Sequence, residues 1–380
     1  MAKCARDCFG SPSSLHRYGL DARAALTRAR EQIADLINAE SPEEIIFTSN
    51  AAEASNLAIA GTVQANRRFG GAQVVSSKAE HPAVIDPLLA LEGEGIECKQ
   101  IGVDSVGAID LEELADCVSQ ERLLFATHHA NHDLGTIQPI SKLGEIAVNQ
   151  GTPFFVDASF SAGWEPVDVR AANASLLSLE PNRFYGPKGV GVLYRHRRTR
   201  IHPIIRGGSQ EDGRRAGEEN LPAIVGAGVA AEIAKRELAP RRDLVRRLQQ
   251  QLWEALLDRI PHLRLNGIEP GAGRLPTNLN FSVEFVEGEG VALRADLKGL
   301  AIGSGSACVS KALKVPRALA AIGLEPALAQ GCVILSPGAD NTAAETENTV
   351  NILAGVIADL RQMSPTWEEF QAGKRASLIG

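Results

Sequence analysis

The middle of the chain reads Leu176-Leu177-Ser178-Leu179-Glu180-Pro181-Asn182-Arg183-Phe184-Tyr185-Gly186-Pro187-Lys188-Gly189-Val190-Gly191. Its first four residues form a mostly apolar run, a polar segment follows, and a second apolar run covers 190–194. Apolar runs separated by Gly, Pro and Asn predict a strand, a tight loop and a second strand. Loops held between two such strands often carry function.

Short apolar segments alternate with helical ones through the first half of the chain. They predict strands at 44–48, 73–77, 96–101, 123–127 and 153–156, and helices at 20–39, 53–61, 82–92, 111–119 and 140–149. This alternation predicts a mostly parallel sheet covered on both faces, with ligands beyond the carboxyl ends of the strands. A helical region at 221–258, with a break near Pro240, then leads to strands at 277–283 and 300–303 and a closing helix at 350–361.

Composition excludes several classes of protein. The 380 residues include 39 basic and 46 acidic side chains, and the net charge of -7 argues against nucleic-acid binding. No apolar segment is long enough to span a membrane, and the first residues lack the apolar core of a signal peptide. Basic clusters at 195–200 and 235–247 favour either solvated surfaces or a docking patch for an acidic partner. Six cysteines without Cys-x-x-Cys pairs indicate reduced thiols in a cytoplasmic protein: Cys4, Cys8, Cys98, Cys117, Cys308 and Cys332.

The loop at 180–189 resembles the pyridoxal-phosphate loop of the cysteine desulfurases (NifS/IscS-like), which reads Ser-x-His-Lys-x-x-Gly-Pro-x-Gly. Similar motifs follow the family's order at 9–16, 47–53, 79–84, 128–135, 154–161, 207–220 and 303–310. The resemblance implies an α/β, class V aminotransferase-like fold (fold type I). Its large domain, with a mostly parallel sheet, would span 15–235, and a smaller α+β domain would span 236–380. By the same resemblance, the N-terminal segment 1–14 is expected to be shortened relative to the family.

The chain departs from the family where the family contacts its cofactor. Arg183 stands in place of the lysine that carries pyridoxal phosphate, and a guanidinium, always protonated, cannot form a Schiff base. Lys188 is the alternative amine. His81, which stacks on the cofactor ring in the family, and Asp157, which pairs with its nitrogen, are retained. The other departures are Ala52, His132, Phe160, Glu180, Asn182, Glu218 and Ile334. In the family these positions hold phosphate, the cofactor ring or the substrate carboxylate, so we expect a vacated pocket without pyridoxal phosphate.

The segment Gly303-Ser304-Gly305-Ser306-Ala307-Cys308 resembles the family's Ser-Gly-Ser-Ala-Cys loop, whose cysteine takes up sulfur as a persulfide. We therefore expect a homodimer that uses Cys308, with His81 as a second candidate catalytic residue, for sulfur or iron–sulfur handling. Cys308 would carry a persulfide or ligate an iron–sulfur cluster. The expected partner is a sulfur acceptor or an iron–sulfur scaffold protein. Two alternatives stay open: a non-catalytic scaffold or regulatory dimer, and an active desulfurase or other enzyme with a rebuilt pocket.

Two further expectations concern individual side chains. A buried unpaired carboxylate is costly, so Arg183 is expected to turn toward Asp157 or Glu180 as an ion pair. Cys308 is expected to be the most reactive thiol, because Cys98, Cys117 and Cys332 fall in predicted strands and a helix. Cys4 and Cys8 lie near the amino terminus, where exposure is expected.

Overall fold

The computed structural model describes residues 1–67, 73–118, 122–305 and 315–379. Its helices are α1 (Ala2–Asp7), α2 (Arg17–Leu36), α3 (Ala51–Asn66), α4 (Pro82–Glu92), α5 (Leu111–Cys117), α6 (Ile140–Asn149), α7 (Leu221–Arg259), α8 (Gly288–Asp296), α9 (Arg317–Ala321), α10 (Pro326–Gln330), α11 (Ala343–Gln362) and α12 (Pro365–Gln371). Its strands are β1 (Ile45–Thr48), β2 (Gln73–Ser77), β3 (Glu97–Ile101), β4 (Arg122–His128), β5 (Phe154–Asp157), β6 (Leu176–Leu179), β7 (Gly191–Arg195), β8 (Leu263–Leu265), β9 (Leu279–Val283), β10 (Gly303–Ser304) and β11 (Cys332–Leu335).

The chain forms two compact units. The first comprises Met1–Gly102, Ile109–Ala130 and Gln138–Leu238, and the second comprises Val103–Ala108, Asn131–Ile137 and Ala239–Gly380. Within the described residues, the first unit contains a seven-stranded sheet in the order β1-β7-β6-β5-β4-β2-β3. Strand β7 runs antiparallel to both of its neighbours, and the pairs from β6 to β3 are parallel. The predicted mostly parallel α/β sheet is therefore confirmed.

Four strands of the first unit are buried along their whole length because both faces of the sheet are covered there, whereas strand β3 at one edge of the sheet is partly exposed. Every residue of β1, β2, β5 and β6 is buried, as is typical of a sheet with helices on both sides. Helix α3 packs Leu57 against Leu124 of β4 and Leu193 of β7 in one core, and the rings of Phe125 and Phe154 stack 5.0 Å apart.

The close approach of β7 to the start of α3 explains one residue of the central segment. A β-carbon placed on Gly191 would lie 2.1 Å from the carbonyl carbon of Asn50. Only glycine fits at such a distance, since no real β-carbon approaches backbone so closely. Gly191 therefore lets β7 pair with β1 directly beside the helix start, where Gly191 faces Thr48.

The second unit contains, in its described part, a four-stranded antiparallel sheet in the order β10-β11-β9-β8. Its core joins Phe281 and Val333 of this sheet to Trp253 of α7 and Leu353 of α11. None of the helices in the described ranges combines the length and apolar character needed to cross a membrane.

Several predicted elements are confirmed within a few residues, and others differ. Helix α7 continues through Pro240 without the predicted break. The segments β8 and α8 were not predicted, because each is short and neither has a long apolar run. Helix α12 follows α11, so the helix predicted to close the chain is not the last.

Candidate functional site

The candidate site lies in the first unit, at the edge where its parallel strands end. The register pairs Ser76 with Ala126, His128 with Asp157, and Asp157 with Ser178, so the carboxyl ends of β2, β4, β5 and β6 lie side by side. Ligands in open α/β sheets bind at such an edge. The polar residues that follow these strands therefore form one cluster.

A buried contact between Glu80 and His128 ties two of these strand ends together. Glu80 is fully buried, and its Oε2 lies 2.9 Å from Nδ1 of His128 and 3.0 Å from the His128 amide nitrogen. Its Oε1 accepts hydrogen bonds from Ser77 Oγ at 2.5 Å and Thr127 Oγ1 at 2.7 Å. Burial by itself raises the pKa of Glu80, but His128 and the two hydroxyl donors outweigh it and lower the pKa. Glu80 is therefore held as a carboxylate, and it fixes the backbone that leads into His81.

His81 occupies the position directly before α4. Its Nδ1 accepts a hydrogen bond from the Ala83 amide at 3.0 Å and so caps the helix. Its ring centroid is 5.9 Å from that of Phe160, with the planes at 51°. Beside this pair, His129 is buried against Ser161, and burial lowers its pKa to about 4. His129 is therefore a neutral imidazole at pH 7, whereas the ring of His81 is part of an aromatic wall.

Asp157 ends β5 and is buried. All three hydrogen bonds that its carboxylate accepts from the described residues fall on one oxygen, Oδ1: two from Ser159, through its amide and its hydroxyl, and one from Ser178 Oγ at 2.9 Å. This leaves Oδ2 without a donor from the described part of the chain. A carboxylate held rigidly with one open oxygen can bind a protonated ring nitrogen or another cation.

Glu180 directly follows β6 and reaches the start of α3. Its Oε2 accepts a hydrogen bond from the Ala51 amide at 2.6 Å, and its Oε1 accepts one from Asn182 Nδ2 at 3.0 Å. Burial, with a smaller contribution from the charge of Asp157, raises the pKa of Glu180 above its usual value, although Ala51 and Arg183 act in the opposite direction. The helix start, a natural anion site, is thus bound by the protein's own carboxylate.

Arg183 does not form the predicted ion pair. Its guanidinium carbon lies 4.2 Å from the centroid of the Phe160 ring, and the side chain is exposed. No carboxylate within the described ranges lies within salt-bridge distance of it, so the expected pairing with Asp157 or Glu180 is wrong. The reason is that the cost of burying Asp157 is already offset by serine donors, while the ring of Phe160 attracts the cation in solvent. The backbone of Arg183 is fixed by Trp164, whose Nε1 donates to its carbonyl at 2.8 Å.

Two predicted residues of the first unit lie at its surface. Ala52 is exposed in the first turn of α3, and Glu218 is exposed in the segment 207–220. That segment is tied to its own unit by bidentate hydrogen bonds of 2.7 and 2.8 Å from Arg30 to Glu211 and by a 2.8 Å contact between Arg215 and Glu53.

His132 and Ile334 belong to the second unit. Nε2 of His132 lies 3.3 Å from Oδ2 of Asp133. Ile334 is in β11, between Gly303 of β10 and Asn280 of β9.

Cys308, the predicted sulfur-handling residue, falls in 306–314, outside the described residues. Gly305, the last described residue before this range, lies close to Cys332: a β-carbon on Gly305 would be 3.0 Å from the Cys332 sulfur. Cys332 is fully buried, and burial raises its pKa to about 12; burial also raises the pKa of Cys98 to about 11. Cys4, expected to be exposed, is buried, because its helix α1 turns this side chain inward.

Sequence reasoning missed the buried network of Glu80 and His128 and the serines around Asp157. Glu80 was available from the sequence as a charged residue three positions after a predicted strand and directly before His81. The serines gave no signal, because a hydroxyl in an apolar strand does not reveal which side chain it will meet. Within the described ranges, no group of three His, Cys, Asp or Glu side chains converges to hold a metal ion.

Comparisons with known proteins agree with this architecture. The family model described as aminotransferase class-V matches residues 1–348. The chain is 39% identical over 371 residues, 98% of its length and 93% of the relative, to a protein named cysteine desulfurase IscS from Dictyoglomus turgidum. It is 42% identical over 359 residues, 94% of its length and 92% of the relative, to cysteine desulfurase IscS 1 from Archaeoglobus fulgidus. A solved structure of a NifS-like protein superposes with a TM-score of 0.87 at 28% identity, covering 94% of each chain.

The fold is that of the class V aminotransferases. Within that class, the chain belongs to the cysteine desulfurase family. This membership overturns one expectation, because cysteine desulfurases depend on pyridoxal phosphate, and the prediction of a protein without this cofactor conflicts with the family. The departures at the cofactor positions are real features of the sequence, but they do not set the chain outside a cofactor-dependent family.

The described residues fit this cofactor only in part. Asp157 fits its ring nitrogen, since Oδ2 is left open beside a rigidly held Oδ1. Position 183 offers a guanidinium instead of an amine, and Glu180 binds the Ala51 amide that a phosphate would use, so neither fits as it stands. We therefore assign no chemical step to the cofactor.

Proposed function

We propose that this protein handles sulfur through the thiol of Cys308. The observation that carries the proposal is the position of this cysteine in a segment that matches the family's sulfur-accepting loop, in a chain related over its whole length to cysteine desulfurases. The state of the other thiols supports it. Cys98 and Cys332 have pKa values raised by burial, and a thiol must ionise before it reacts with sulfur.

The proposed step is a persulfide transfer. The thiolate of Cys308 attacks the terminal sulfur of a donor persulfide, so that a new sulfur–sulfur bond forms as the donor's own bond breaks. The donor leaves as a thiolate, and the proton of the persulfide stays with the transferred sulfur. No separate oxidant is needed, because the sulfur arrives already at the persulfide level. A thiolate can also ligate an iron–sulfur cluster. In that case Cys308 would carry a cluster instead of a persulfide.

We further propose that the working form is a cytoplasmic homodimer that passes sulfur to an acceptor or scaffold protein. The segment 207–220 supports the dimer, since in the family the matching segment crosses between subunits. The described cysteines are all unpaired, as is typical of a reducing compartment. We also propose that the chain divides into a large domain at 15–235 and a smaller domain at 236–380.

A second candidate function is desulfuration of free cysteine with pyridoxal phosphate. The named activity of the relatives and the open oxygen of Asp157 favour it. The two functions differ in their sulfur source, a persulfide in one case and free cysteine with the cofactor in the other.

The test uses the full chain with three proteins: wild type, Cys308→Ser and the control Cys98→Ala. Each is incubated with glutathione persulfide, or with cysteine and pyridoxal phosphate, and then alkylated and mapped by peptide mass spectrometry. We expect a gain of one sulfur atom on Cys308 in wild type and Cys98→Ala and none in Cys308→Ser. Sulfide release from cysteine would select the second function. Equal labelling of several thiols, or sulfur uptake unchanged in Cys308→Ser, would refute the role of Cys308.

Cluster binding is tested separately on the same three proteins. Each protein is reconstituted with iron and sulfide and examined by absorption spectroscopy. If Cys308 ligates a cluster, wild type and Cys98→Ala are expected to show a cluster spectrum that Cys308→Ser lacks. A spectrum unaffected by Cys308→Ser would rule out ligation by this residue.

A further inference from the structure

A cavity of about 680 Å³ opens in the first unit, away from the candidate site. It lies beside Arg195, the last residue of β7, which pairs with Leu176, the first residue of β6. Because β7 runs antiparallel to its neighbours, Arg195 is at the edge where the parallel strands begin. The candidate site is at the opposite edge, where these strands end.

The wall of this cavity is strongly basic. Its described lining includes five arginines and a histidine and no acidic residue: Arg195, Arg197, Arg198, Arg200, Arg214 and His202. The whole chain carries a net charge of -7, so the positive charge of this wall is opposite in sign to the net charge of the protein. Charged groups of one sign around a concave surface focus the field and attract an opposite charge.

Arg195 is held rigidly at the base of the cavity. Its Nη1 donates to the backbone carbonyls of Thr199 at 2.7 Å, Arg197 at 3.1 Å and His196 at 3.3 Å, which fixes the turn that carries the other arginines. Its Nε is buried without a hydrogen-bond partner in the described structure. Burial, followed by the charge of Arg214, lowers the pKa of Arg195, although Glu44 and Asp212 oppose this shift. The guanidinium of Arg195 is therefore fixed in place, and nearby carboxylates neutralise its positive charge only in part.

The carboxylates near the rim neutralise little of this charge. Arg197 lies 3.5 Å from Glu40 and Arg214 lies 3.0 Å from Asp212, but in both pairs at least one side chain is mostly exposed to solvent. Exposed pairs of this kind contribute little. Arg198 is exposed and has no carboxylate within salt-bridge distance among the described residues. An anion entering the cavity would therefore meet at least one guanidinium without an acidic partner.

We propose that this cavity binds a small polyanion with at least two phosphate groups. Arginine forks bind such groups with paired hydrogen bonds, and several arginines around one cavity suit a ligand with several anionic groups. The volume is that of a small-molecule site. The described wall has no Phe, Tyr or Trp on which a nucleobase would stack, so the anionic groups themselves are the recognised feature. None of the described residues that line this cavity is used in the proposed sulfur transfer.

The test measures binding to the full-length protein by isothermal titration calorimetry, with inorganic pyrophosphate, tripolyphosphate and orthophosphate as probes. The variant is Arg198→Ala, and the control is Arg247→Ala, which removes an exposed arginine of α7 in the second unit. We expect pyrophosphate and tripolyphosphate to bind more tightly than orthophosphate and to bind more weakly at high salt. Affinity should fall about tenfold in Arg198→Ala and stay unchanged in Arg247→Ala, because only the first variant removes a charged hydrogen-bond donor that lines the cavity.

Three results would overturn the proposal. The first is no heat of binding with either polyphosphate at millimolar concentration. The second is equal affinity for orthophosphate and pyrophosphate, which would contradict recognition of two groups. The third is binding of a polyglutamate peptide, lost in Arg198→Ala, without binding of either polyphosphate, which would identify the surface as a docking site for an acidic protein segment.

Discussion

Replacing Glu80 by alanine should destabilise the first unit by about 3–5 kcal/mol. The substitution removes a fully buried carboxylate and leaves Nδ1 and the amide of His128 without it, and several buried groups left unsatisfied at about 1–3 kcal/mol each give a loss of this size. It also deprives the hydroxyls of Ser77 and Thr127 of their acceptor. Glu80→Gln keeps the shape and one acceptor oxygen, so the smaller loss of about 1–3 kcal/mol is expected.

The pH dependence of stability separates the charge of Glu80 from its shape. The pKa of this carboxyl is lowered in the folded protein, so its contribution is fully present above the unfolded value of 4.5 and is lost as pH falls through the folded value. In Glu80→Gln this part of the acid sensitivity should disappear, because the amide does not titrate.

The measurement is thermal or urea unfolding of the full-length protein, followed by circular dichroism and by intrinsic fluorescence. For a unit of this size, 3–5 kcal/mol corresponds to a fall of roughly 6–20 °C in midpoint temperature. Glu145→Ala, which removes an exposed glutamate of α6, is the control and should change the midpoint little. A loss below about 1 kcal/mol in Glu80→Ala would show that the buried pair contributes no net stability, and the reasoning would fail.

Two further predictions concern the thiols and the assembly. Under limited alkylation at neutral pH, Cys308 should be modified first and Cys98 and Cys332 last, because burial raises the pKa of the latter two to about 11 and about 12; peptide mapping that finds Cys98 labelled as fast as Cys308 would contradict this. Sedimentation at micromolar concentration should give twice the mass of one chain, and a stable monomer would exclude the proposed homodimer.

The central segment and its neighbours were sufficient to predict the class of fold. Apolar runs such as Phe154–Asp157 are buried on both faces, and this pattern depends only on local composition, so the parallel sheet and most of its helices were predictable. The order of motifs along the chain indicated the family in the same way. The positions of His81, Asp157 and Glu180 after strands also predicted that they would meet at one edge, because the ends of neighbouring parallel strands lie together.

The partners of these side chains were decided by the tertiary structure. The sequence shows that Asp157 is a carboxylate in a buried place, but not that Ser178 of a neighbouring strand donates to it and removes its need for an arginine. Arg183 could therefore remain over Phe160, contrary to expectation. Glu180 likewise binds the start of a helix 129 residues away in the chain. Burial patterns follow from the local sequence. Hydrogen-bond partners depend instead on distances between segments that only the folded chain brings together.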